Sequence, residues 1–246
     1  LPAAMAAGIA SGFITAFLQT KMGVNSLLAG IIVNTALYSV NIAVMGNASL
    51  LNLNRYDTVF TKALDFLKGT AFSQYYKLIV AVIAVVLVAV FLGLFLKTKL
   101  GLAIRATGDN PDMVRSSSIN PIFTTIIGLC IANSFTALSG CLLAQSQKSV
   151  NIDIGTGMVT VALASLLIGN VFLGKKKMPF RILGMVLGAF VFRLVYTIAL
   201  RFDMPAFMLK FVSSVIVIAA ISFPYLKERF PLFKRRFMQR FKRREA

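Results

Sequence analysis

Residues 97–120 read KTKLGLAIRATGDNPDMVRSSSIN and separate two apolar runs, 76–96 and 121–144, each near the ~20 residues a helix needs to cross a bilayer. A polar segment between two such runs is where a membrane protein meets water and soluble partners. Pro111 supplies the fixed φ of a first helical position, Asp109 or Asn110 can cap it, and Asp112 puts negative charge at the positive end of the helix dipole. The segment is therefore expected to contain a short helix. On it Met113 and Val114 are the only apolar side chains, held between Arg105 and Arg115 as a compact knob suited to a cleft on a cytoplasmic protein.

Outward from this segment, apolar runs recur at 2–18, 27–45, 158–173, 182–200 and 206–223, which makes about seven spans in all. Composition agrees, because 58% hydrophobic and 14% charged residues, with a mean hydropathy of +0.82, leave no charged exterior for a soluble domain. The expected fold is all-α, a polytopic transmembrane helical bundle over 1–223 followed by a basic tail, 224–246. In that tail Leu226, Phe230, Phe233, Phe237 and Phe241 recur at helical spacing among Lys and Arg. Such a helix lies in the inner interface, anchoring topology and touching membrane lipids.

With 26 Lys plus Arg against 8 Asp plus Glu, the net charge of +18 would suit nucleic acid only if a soluble core carried it. No such core is visible, and the basic residues cluster instead at the ends of apolar runs. The positive-inside rule puts the tail in the cytoplasm, and alternation then places 175–177, 97–120 and Lys21 inside as well. Segments 46–75, 146–157 and 201–205 fall outside. The first span would begin outside, so a chain starting in the cytoplasm needs at least one more span ahead of it. The outer segment 46–74 carries Arg55, Asp57, Lys62, Asp65 and Lys68 and reads either as a solvated loop or as a small docking surface. In 145–157 Gly155 and Gly157 beside Asp153 suit a re-entrant or broken helix.

Several chemistries are excluded. There is no His, and Cys130 and Cys141 stand three helical turns apart in one run, too far for a disulfide and too few for a zinc site. No Gly-x-x-x-x-Gly-Lys-Ser/Thr phosphate loop occurs, and no cofactor is expected in this chain. An ion or solute channel or a secondary transporter stays open as the alternative from another class, although the membrane carboxylates of a secondary transporter and the charge rings or carbonyl filter of a channel are not visible in the spans.

Polar residues inside the spans are the candidate pathway. Asn34, Tyr38 and Asn41 repeat at four and three residues on one helical face, with Thr35 beside them, either lining a pathway or hydrogen-bonding between helices. Asn133, with Ser134 and Thr136, is a weaker candidate of the same kind, as are Ser213 and Ser214. Arg193 lies near the middle of its span, where a charge costs at least ~2.5 kcal/mol unless something compensates it. It either lines the pathway or makes a buried link to Asp153, to helix carbonyls or to a partner. Gly8-x-x-x-Gly12 and Gly184-x-x-x-Gly188 read as close helix crossings.

Taken in order, TKMGVNSLLAGIIVNTALYSVNIAVMGNASL, GLAIRATGDNPDMVRSSSIN, GTGMVTVALASLLIGN and FRLVYTIAL resemble the permease subunits of ABC importers in the family of branched-chain amino acid and ribose permeases, nearest to its tryptophan/tyrosine subgroup. The G-x-N-x-x-M-V-R pattern of the polar loop is the most specific part. The resemblance implies that 109–118 is a coupling helix seated on a cytoplasmic ABC ATPase subunit, with Asp109, Asn110, Met113, Val114 and Arg115 in contact. It also implies a second permease copy or homologue, an extracellular solute-binding lipoprotein, and a location in the bacterial inner membrane. An amino acid, with aromatic ones foremost, is the implied solute; sugars and nucleosides are the alternative within the family. Asn170 stands where many members carry an acidic residue, so no role carries over to that position.

Overall fold

The computed structural model describes residues 1–68, 73–155, 158–173 and 178–201, together with residues 211, 214, 215, 218 and 222. The chain divides into two units, Leu1–Asp153 and Ile154–Ala246. In the first lie α1 (Pro2–Thr20), α2 (Ser26–Val44), β1 (Leu50–Asn52), α3 (Val59–Leu67), α4 (Tyr76–Phe95), α5 (Lys99–Asp109), α6 (Pro111–Ser116), α7 (Pro121–Gln147) and β2 (Ser149–Asn151). The second contains α8 (Met158–Leu173) and α9 (Met178–Leu200).

Punctuation in the sequence explains the helix boundaries. Asn25, Asn110 and Asn120 each stand at an N-cap, where the side-chain oxygen accepts a backbone N–H, and Pro follows at the first position of α6 and α7. Thr58 and Thr98 cap α3 and α5 in the same way. The long helix α7 ends at Lys148 in the left-handed conformation, φ +52, and the chain turns directly into β2.

The first unit is built on α7. α1 crosses it at Gly8 and Gly12, where a Cβ would stand 2.5 Å from the Asn133 carbonyl oxygen and 2.7 Å from that of Leu129. α2 meets α1 and buries Ala29 and Val33. α4 touches α7 through Phe91 on Phe135, edge to face at 5.6 Å between centroids, and has no buried residue of its own. In the second unit α8 and α9 cross at Gly169, Gly184 and Gly188, whose missing side chains let the two backbones touch. Both glycine pairs read from the sequence are thus helix crossings, and Gly169 is a third member that the spacing rule missed.

Five helices among the described residues, α1, α2, α4, α7 and α9, are long and apolar enough to cross a membrane, while α8 is a shorter apolar helix. Leu78, Leu87, Leu94 and many similar side chains stand exposed along them, as they would against lipid tails. Six of the seven expected spans appear as helices. The seventh, 206–223, lies outside the described residues except for helical positions at Phe211, Ser214, Val215, Ile218 and Ser222, and the tail 224–246 and the lysines at 175–177 lie outside them too.

Two segments differ from expectation. Where a re-entrant or broken helix was expected, β2 pairs antiparallel with β1, Leu51 opposite Val150, and a 3-10 turn over Ile152–Gly155 follows. The left-handed turn at Lys148 redirects the chain before another helix can start. The segment 46–74, expected as a loop or docking surface, contributes β1 and α3, whose first N–H donates to Gln145 Oε1 at 3.0 Å. Its Lys68–Asp65 ion pair is exposed and of the kind worth little.

Substituting Gly8 by Leu should lower the stability of the purified protein by about 1–3 kcal/mol, the usual cost of overpacking. Gly30→Leu, where nothing lies within 4 Å, should be close to neutral. Thermal denaturation in one detergent, followed by size-exclusion recovery, separates the two.

Candidate functional site

The polar segment 97–120 forms two helices rather than one. Thr98 joins α4 to α5 in one stroke: its hydroxyl donates to the Phe95 carbonyl at 2.7 Å and accepts from the Gly101 amide at 3.2 Å. Gly101 packs directly on the backbone of Phe95 and Leu96, which sets a tight turn between the two helices. α5 is then fastened to α7 by a hydrogen bond between the Thr107 and Thr124 hydroxyls at 2.7 Å, with Thr124 buried.

Asn110 ends α5 and begins α6. Its Oδ1 accepts from the amides of Asp112 at 3.0 Å and Met113 at 3.1 Å, and its own amide donates to the Ala106 carbonyl at 2.9 Å. Asp109 is the last residue of α5, so of the two candidate caps the structure selects Asn110. At the far end Ser116 and Ser117 hydroxyls both donate to the Met113 carbonyl, and Ser118 turns the chain at φ +59. A six-residue helix cannot hold itself together in water, and here caps at both ends do it.

The expected apolar knob needs correction. Val114 is buried, 3% exposed, and faces inward, while Met113 is 66% exposed. Adjacent residues on a helix point about 100° apart, so both cannot face a partner. Met113 is therefore the lone apolar tip, with Asp109, Asn110, Asp112 and Arg115 exposed around it and Arg105 half-buried on α5. Val114 is the anchor that seats α6.

On α2, Asn34, Thr35, Tyr38 and Asn41 form the expected stripe, and all four are exposed. Thr35 spends its hydroxyl on the Ile31 carbonyl at 2.9 Å; among the described residues Asn34, Tyr38 and Asn41 have no side-chain hydrogen-bond partner. Among the described residues, then, the stripe makes no hydrogen bond between helices. Asn133 is a different case. Its Nδ2 donates to the Leu129 carbonyl at 3.0 Å and its Cβ lies beside Gly12, so it belongs to the α1–α7 crossing and not to the stripe.

Arg193 is exposed on α9, not buried, and its guanidinium carbon stands 5.7 Å from the centroid of the Tyr196 ring. A cation over an aromatic face is partly compensated there, by more when water is excluded. Its expected link to Asp153 falls on a side chain outside the described ones.

A pocket of about 670 Å³ opens at the other end of α7. Ala4 and Ala7 of α1, Asn41 and Val44 of α2, Tyr56, Asp57 and Thr58 ahead of α3, and Ala137, Cys141 and Gln145 of α7 line it, with the ribbon along one edge. Of its polar residues only Asn41 was singled out from its helical spacing. Gln145 carries no such signal, since one amide near the end of an apolar helix looks like ordinary interface chemistry.

The permease component of branched-chain amino acid transport systems, as a family, matches residues 1–221. The chain belongs to this permease family. It is 29% identical over 219 residues to the tyrosine transport system permease protein of Clostridioides difficile, covering 89% of this chain and 70% of that one. An uncharacterized protein of Rickettsia prowazekii is 29% identical over 197 residues, 80% of this chain and 67% of its own. The autoinducer 2 import system permease protein LsrC of Escherichia coli is 26% identical over 142 residues, 57% and 41% of the two chains. No solved structure matches. The permease is thus a multi-pass helical membrane protein of the ABC type, and its resemblance to the tyrosine subgroup holds.

The Thr107–Thr124 clamp and the Asn110 cap make a local prediction. Thr107→Val should cost about 1 kcal/mol, and Asn110→Ala about 0.5–2 kcal/mol. Hydrogen exchange should show faster exchange of the α5 and α6 amides in both variants, with α1 and the ribbon unchanged.

Proposed function

We propose that this permease is the membrane subunit of an ATP-driven importer for an amino acid, aromatic ones foremost. It works with a second permease copy or homologue, two ATPase subunits that bind ATP and Mg, and an external solute-binding lipoprotein. The carrying observation is α6: a short helix, capped at both ends and seated by Val114, that holds an exposed Met113 between acidic and basic neighbours. Such a rigid projection suits transmission of force across an interface better than a loop would, because little ordering entropy is left to lose on contact.

In this reading Asp109, Asn110, Met113 and Arg115 contact the ATPase and Val114 supports them from beneath. The α5–α6 end faces the cytoplasm of a bacterial inner membrane, as the basic residues around it suggest, with the C-terminus on the same side. The α2 stripe, lacking partners among the described residues, lines the pathway toward the second permease, and Arg193 with Tyr196 serves unit 2 in the same role. The amino acid assignment draws on the tyrosine permease relative, which matches over more of both chains than the autoinducer 2 permease does. A sugar or nucleoside is the competing solute.

The test is coexpression of the complete tagged permease with its neighbouring genes. Met113→Asp or Arg115→Glu should abolish copurification of the ATPase while the permease stays monodisperse. Val114→Asp should instead destabilise the permease itself, because it buries a charge. ATP-dependent uptake of tyrosine into vesicles then checks the solute; uptake of a sugar but not of tyrosine would overturn the amino acid reading.

A further inference from the structure

The pocket at the ribbon end of α7 has the dimensions of a small-molecule site, about 670 Å³ with mostly apolar walls and a few polar groups. Tyr56, Thr58 and Asn151 are among its polar lining residues, and three others bear on a charged solute. Asp57 offers a carboxylate that has no hydrogen-bond or ion-pair partner among the described residues, although Arg55 is only two positions away. Asn41 offers an amide equally without a partner among them. Gln145 is held in place through Oε1, which accepts from the Val59 amide at 3.0 Å, while its Nε2 donates only to Cys141 Sγ at 3.3 Å. A thiol is a weak acceptor, so that N–H₂ is aimed and largely uncommitted. Asp57 thus supplies an anionic acceptor, and Asn41 and Gln145 amide donors, in a cavity that alanine side chains from α1 and α7 also line.

We propose that this pocket binds a small zwitterion with an apolar side group: its ammonium on Asp57, its carboxylate on the amides of Asn41 and Gln145, and its side group against Ala4 and Ala7. The assignment rests on the amino acid reading above and locates a binding site for such a solute within a single permease subunit. Charge-assisted hydrogen bonds are the strong ones, and both charges of the solute meet a complementary group here. An apolar wall without aromatic rings except Tyr56 at the rim gives breadth over side groups, not sharp selection. Asn41 belongs to both the pocket and the α2 stripe, so a solute leaving the pocket meets Tyr38 one helical turn further along.

Equilibrium binding of labelled tyrosine, of tyramine and of 3-(4-hydroxyphenyl)propionate to the complex of permease and ATPase subunits in lipid nanodiscs, without the solute-binding lipoprotein, tests the site. Asp57→Asn should weaken tyrosine and tyramine roughly tenfold or more and leave the propionate unchanged. Gln145→Glu keeps an acceptor for the Val59 amide and should weaken tyrosine and the propionate but not tyramine. Ala7→Phe, which fills the apolar end, should weaken all three. Equal binding of tyrosine by the native complex and all three variants overturns the pocket while leaving the amino acid reading intact. Absence of binding of every probe to the native complex also overturns it. ATP-driven uptake by the complex with the lipoprotein restored then shows whether the amino acid reading survives, if tyrosine enters, or falls as well, if only a sugar does.

Discussion

At Gly8 and Gly12 the backbone of α1 lies on the backbone of α7 with no side chain between them, and the first unit is assembled on that pair, α2 against α1 and α3, α4 and α5 against α7. Lipid tails are as apolar as leucine, so moving an apolar side chain from lipid to a helix interface gains little; close packing is what remains to hold helices together. Small residues permit it. Because α7 has 27 residues, about 40 Å by helical rise, it exceeds a hydrocarbon core of about 30 Å and carries polar attachments at both ends. Thr124 ties α5 to one end, and Gln145 ties the start of α3 to the other, roughly 30 Å away.

The same logic explains what could be read from the sequence. Helix starts at Pro121 and Met158 and near Tyr76 were legible because proline, asparagine caps and abrupt polarity changes mark them locally. Gly8-x-x-x-Gly12 and Gly184-x-x-x-Gly188 were legible because both glycines of each pair lie on one helix. Gly169 was not, since its partners lie on a different helix and no spacing within α8 announces it. The β1–β2 ribbon was hidden for a related reason: three residues pair with three others almost a hundred positions later, and neither stretch alternates strongly enough to declare a strand.

The polar loop shows the limit at finer scale. Composition identified Met113 and Val114 as the apolar residues of a short helix, but it could not say which of two neighbours faces the protein. Packing decides that, and it turned Val114 inward. Likewise a polar residue in a span has two meanings that spacing does not separate. Among the described residues Asn133 belongs to a helix–helix crossing and the α2 stripe does not, and the difference lies in what stands opposite each residue.

That difference constrains how the subunit can work. An amide left without a partner in lipid is costly, so a face bearing Asn34, Tyr38 and Asn41 is stable only where water, solute, another subunit or a further helix meets it. The opposite side of α2 carries Ala29 and Val33 and is already buried. One helix thus has a closed side turned to its own unit and an open side continuous with the pocket through Asn41. In the proposed importer, force arriving at α6 passes to α7 through short, capped connections, and α7 forms one wall of that pocket. Another part of the pocket's lining belongs to α2, which is joined to α7 through α1. Relative movement of α7 and α2 is therefore the motion that would change the pocket's width, and it requires no bending of any long helix.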